Sequence, residues 1–166
     1  MAITSEELQK RISEAKVGAV DLTSEEDLAL GVMNLIAIEE HLFFTHEKTG
    51  KGEYLDSLNT IRQMRKELMT KMIPQYEGEA WCTCKHLLSA TMRFSEVGTK
   101  FLGQGNKDEA KEYFDRAYKL FNIFWAIRLK LITIPELTEM AKEEKAKSEP
   151  WTLDDIMKKM VDCCAE

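Results

Sequence analysis

Chain breakers are scarce in this sequence. Its 166 residues hold three prolines, all after residue 73, and eight glycines. Chains of many short strands are punctuated by both residues, so their scarcity favours long helices. Long uncharged apolar runs are missing too. The longest in the most apolar stretch, Leu28 to Ile38, is far shorter than the roughly 20 residues that span a bilayer. The first 20 residues are polar and amphipathic, without the apolar core of a secretion signal. There is no basic excess either: the formal net charge is −6, which counts against a nucleic-acid-binding face. These absences predict a cytoplasmic protein that contacts neither membrane nor nucleic acid. Four cysteines without a secretory leader fit a reducing compartment. Cys163 stands fourth from the end, as prenylation requires, but the final Glu166 fits that signal poorly.

What is present reads as helix. Charged residues make up 31% and hydrophobic ones 44%, a balance that suits a soluble globular chain with one buried core. The most apolar segment is LALGVMNLIAIEEHLFFTH, residues 28–46, with Leu28, Val32, Leu35, Ile36, Leu42 and Phe43 at helical spacing. Thr23 with Glu26 makes a capping box ahead of it, and the loop Lys48–Gly52 closes it. Met33, Ala37, Ile38 and Phe44 widen the stripe, so this helix is expected at the centre of the fold, touched by several neighbours.

Around it the pattern places a short helix at 4–16, capped by Thr4 and Glu7, and helices near 52–73, 78–102 and 106–131. Asn106 is the expected N-cap of the last of these, with Glu109 three residues on. Short connections make successive helices antiparallel. The expected architecture is therefore all-α: an up-down four-helix bundle over 23–131. An N-terminal helix and connector (4–22) and a C-terminal helical tail (132–166) complete one domain. Pro135 and Glu136 open a polar, solvated helix in that tail, and Thr152 starts a last one.

Residues 94–117 resemble a single tetratricopeptide helical hairpin. Phe94, Val97, Gly98, Phe101, Ala110, Phe114 and Ala117 stand at the spacing of that repeat. Small Gly98 and Ala110 would let two helix backbones approach beside the turn. The match departs from the family at Asn122, where the closing proline belongs, and in helices about twice the family's length. The resemblance implies a helical surface for binding protein.

Two groups of residues invite chemistry. Glu39 and His46 continue the apolar stripe, and Glu40 flanks it. Buried acids need partners. Folding the chain about residue 49 or 50 brings Arg62 within a turn of Glu39 and Glu40, with Arg65 nearby. A structural cluster of Glu39, Glu40, His46, Arg62 and Arg65 is expected, the alternative being a ligand or enzymatic pocket around Glu39, Arg62 and His46. The second group is CTCKH, residues 82–86. Cys82 and His86, four apart on a helix, can chelate one ion, whereas Cys82 and Cys84 point to different sides. A zinc site would need Cys163 and Cys164 as the other ligands. No oxyanion-hole loop, phosphate loop or zinc-protease motif is readable. The leading expectation is a non-catalytic protein that binds a protein partner or itself and needs no cofactor, with the zinc site as the alternative.

Overall fold

The computed structural model describes residues 3–17, 22–73 and 78–144. Within them the chain forms six helices and no strand: α1 Ser5–Val17, α2 Leu22–Thr49, α3 Glu53–Met72, α4 Gly78–Gly103, α5 Lys107–Arg128 and α6 Ile134–Glu144. The expected helix from Thr152 lies outside the described residues. Contacts divide the chain into two compact units. One is the α2–α3 hairpin, and the other holds α1, α4, α5 and α6.

Local chemistry sets most helix ends. The Thr4 hydroxyl accepts from Glu7 N at 3.2 Å and caps α1. Asn106 Oδ1 accepts from Glu109 N at 3.3 Å and caps α5. Between α4 and α5, Gly105 takes φ +79°, and Asn106 N donates to Phe101 O at 3.0 Å. This left-handed turn closes α4 and delivers Asn106 directly to its capping position. Both expected boundaries of α2 differ. Thr23 lies inside α2, which already includes Leu22, so it is not the N-cap. Helix α2 also continues through Thr49, past the expected end at His46.

Helix α5 stops at Arg128, three residues before the expected end, because Lys130 turns left-handed with φ +57°. Leu131 N then donates to Ala126 O at 2.8 Å, and Lys130 N to Ile127 O at 3.0 Å. This is the double hydrogen bond of a Schellman stop, with Leu131 and Ala126 both buried beside it.

Within this unit α4 and α5 pack closely. A Cβ built on buried Gly98 would stand 2.7 Å from Phe114 Cε1, so the absent side chain is what admits the ring. Phe101 stacks on Tyr113 with ring centres 5.5 Å apart, and Phe94 meets Tyr113 edge-on at 6.0 Å. The largest fully buried residues of the unit are Phe124, Leu88, Leu131 and Ile132. Trp125 is 2% exposed, and its indole Nε1 has no hydrogen-bond partner.

Helix α6 is not simply solvated. Thr133 Oγ1 accepts from Glu136 N, and Glu136 Oε2 accepts from Thr133 N at 2.8 Å, a reciprocal capping box. Arg11 of α1 grips the same carboxylate with two nitrogens, both at 3.2 Å, and donates to Leu131 O at 3.0 Å. One guanidinium thus ties α1 to the α5–α6 junction. The Arg11 bond holds the Glu136 carboxyl below its usual range, against an opposing push from desolvation.

The α2–α3 hairpin departs most from expectation. Ala29, Val32 and Met33 are buried, but Leu30, Ile38, Phe43 and Phe44 are 41–50% exposed. Of the apolar stretch of α2, 17% is buried. Rather than being enclosed on most sides, α2 turns one apolar face outward. Its breadth of apolar residues reflects two faces, one covered and one not.

Three predictions follow from these contacts. Lys130→Gly should raise stability in urea unfolding by about 1 kcal/mol, since a left-handed residue with a side chain is strained by about 1–2 kcal/mol. Gly98→Ala should lower it by about 1 kcal/mol, because overpacking by about 1–3 kcal/mol exceeds the roughly 1 kcal/mol of helix propensity gained. Adding Phe114→Leu should recover part of that loss. Glu136 has a lowered carboxyl pKa, so its contribution is present above the ordinary carboxylate range and fades as pH falls through the lowered value. Glu136→Gln should cost about 1–2 kcal/mol near neutrality and nothing in strong acid, as read by thermal unfolding across pH.

Candidate functional site

The polar cluster forms inside the α2–α3 hairpin. Arg65 Nε donates to Glu39 Oε1, and Arg65 Nη2 to Glu39 Oε2 at 3.2 Å, a two-pronged pair across the helices. Arg65 Nη1 lies 3.7 Å from Met69 Sδ. The arginine side chain is 5% exposed and the glutamate 15%, so both charges are largely withdrawn from water. Desolvation on this scale is tolerated only with a partner of this geometry.

The register differs from the expected one. Of the two arginines expected in the cluster, Arg65 pairs with Glu39, whereas Arg62, which a fold about residue 49 or 50 placed nearer, is exposed. The cause is the length of α2. Because the helix runs through Thr49 and α3 starts at Glu53, the loop is centred on Lys51 rather than on residue 49 or 50. Arg62 and Arg65 are one turn apart, so this small shift exchanges them. Glu40 is half-buried. His46 does not join the pair: its Nδ1 lies 3.0 Å from Lys51 O and ties the end of α2 to the loop. Glu39 therefore meets a cation directly, which is the arrangement a structural pair makes.

The cysteine-histidine group sits on α4. Cys82 and His86 are both exposed, one turn apart. Cys163 and Cys164 lie outside the described residues. Among the described residues no group of three or more His, Cys, Asp or Glu side chains converges on one point. Cys84 is fully buried, and burial pushes its thiol up to about 12, with Arg128 pulling weakly the other way. It stays protonated and unreactive at neutral pH.

The feature that sequence reasoning missed is the outward face of the hairpin. Leu30, Ile38 and Phe44 share one side of α2 and are all more than 40% exposed; Phe43, on the Val32 side of the helix, and Leu55 and Met64, on opposite sides of α3, are exposed singly. The rings of Phe43 and Phe44 meet edge-on, 5.2 Å between centres. A signal was present: Leu30, Ala37 and Phe44 recur every seven residues, offset from the stripe through Val32 and Glu39. Helix Thr23–Thr49 is also long and apolar enough to cross a membrane by length and composition. Comparison with protein families, with curated proteins and with solved structures found no match.

The cluster yields one prediction. Arg65→Met should destabilise the protein by about 3–5 kcal/mol in denaturant unfolding, because it strands a half-buried carboxylate. The double replacement Glu39→Met with Arg65→Met should recover most of that loss, whereas Arg62→Ala should change stability by under about 0.5 kcal/mol.

Proposed function

We propose that this is a cytosolic, non-catalytic interaction protein that presents the apolar face of its α2–α3 hairpin to a protein partner. The observation that carries the proposal is the exposure of Leu30, Ile38 and Phe44 along one side of α2. Scattered exposed apolar residues are ordinary, but a continuous set on one element marks a contact surface. A membrane-spanning role for α2 is disfavoured by its partner. Helix α3 is joined to it by three residues and bonded to it through Arg65, and it exposes Arg62, Lys66, Glu67 and Lys71. Carrying those charges into hydrocarbon would be costly.

Two further parts of the reading concern architecture. The up-down four-helix bundle over 23–131 is supported by two tight antiparallel connections, at Gly50–Gly52 and at Gln104–Asn106. Kinship of residues 94–117 with a tetratricopeptide hairpin is supported by the approach of Phe114 to Gly98. A second functional reading, zinc binding, rests on Cys82 and His86 sharing an exposed helix turn. Elemental analysis of purified protein decides it, with near one zinc per chain in favour and none against.

The leading proposal is tested by placing a photo-crosslinking amino acid at Phe44 and, as a control, at solvated Lys111. Selective capture of a discrete protein from position 44 supports the interaction role. Equal or absent capture from both positions contradicts it.

A further inference from the structure

The exposed face of α2 has an internal order that identifies its occupant. Along it run Asp27, Leu30, Asn34, Ala37 with Ile38, His41, Phe44 and Lys48, alternating steps of three and four. That is the seam spacing of a helix meant to lie along another helix. Asp27, Leu30, Asn34, Ile38, His41, Phe44 and Lys48 are exposed. The acid stands at the start of the seam and the lysine at its end, three heptads apart. At a rise of about 1.5 Å per residue they are separated by about 30 Å, so they cannot pair within one copy.

Turned end for end, the seam matches itself. If a second α2 lies antiparallel with the two-fold axis at Ala37 and Ile38, each Asp27 meets the other copy's Lys48. Each Leu30 then falls beside Phe44 and Thr45 of the other copy, and each Asn34 stands opposite His41. Small Ala37 at the axis allows close approach. A parallel pairing would instead set Asp27 against Asp27 and Lys48 against Lys48. Every contact occurs twice, as a two-fold interface demands. An unrelated partner has no reason to be mirrored by the order of charges on this helix. We propose that the face is filled by a second copy of this chain, through an antiparallel α2–α2 interface centred on Ala37 and Ile38. This rests on the reading of the α2 face as an interaction surface and names its partner.

The test uses the full chain in sedimentation equilibrium across a range of concentrations. Wild-type protein should reach twice the monomer mass of 19.1 kDa. Ile38→Glu places a charge on the axis and should weaken association at least about tenfold, with helicity unchanged, and melting unchanged at concentrations where both chains are monomeric, because Ile38 is exposed. Asp27→Lys and Lys48→Asp should each weaken it several-fold, more at low salt than at high. The double reversal, Asp27→Lys with Lys48→Asp, should restore the wild-type constant. Failure of that rescue overturns the antiparallel arrangement, as does a dimer indifferent to Ile38→Glu. A wild-type chain that stays monomeric while position 44 captures a different protein overturns self-association and leaves the interaction role standing. A monomer that captures nothing overturns both.

Discussion

The contact between Arg65 and Glu39 decides how α3 lies along α2. A guanidinium and a carboxylate withdrawn from water tolerate little displacement, because losing either hydrogen bond leaves a charge poorly solvated. The pair therefore works as a register pin. With Glu39 turned toward α3, Leu30, Ile38 and Phe44 are left on other sides of the same helix, where they are exposed. The polar contact inside the hairpin and the apolar surface outside it are two consequences of one helical rotation.

The other unit is held by different means. Its α4–α5 hairpin is specified by absences and small groups: no side chain at Gly98, a left-handed Gly105, and Asn106 serving at once as the end of a turn and the start of a helix. Arg11 then gathers α1, the Leu131 carbonyl and the α6 capping box into one hydrogen-bonded junction. Charge is used here at a partly exposed junction, where water still contributes, and in the α2–α3 hairpin at a site nearly closed to water.

Helix existence and most helix ends were legible because they depend on neighbours in sequence. Thr4 and Asn106 announce their caps within three residues. Lys130 hid the end of α5 because the left-handed turn normally betrays itself by glycine. That Glu39 needs a cation was also legible, but Arg62 and Arg65 lie on one face, and only the length of the loop chooses between them. Arg11 and Glu136 are 125 positions apart, a contact that spacing alone does not reveal. The outward turn of α2 was obscured for a simpler reason. An apolar residue awaiting a partner and one already inside a core look alike in a sequence.

Whether that surface meets its own copy is a question of distance. A nitroxide attached through Glu47→Cys, in a chain whose other cysteines are replaced by alanine, reports the separation of two α2 helices by pulsed electron resonance. An antiparallel pair centred on Ala37 and Ile38 places the two labels about 30 Å apart along the axis. A separation near one helix diameter, about 10 Å, or the absence of any signal between copies, would contradict the account.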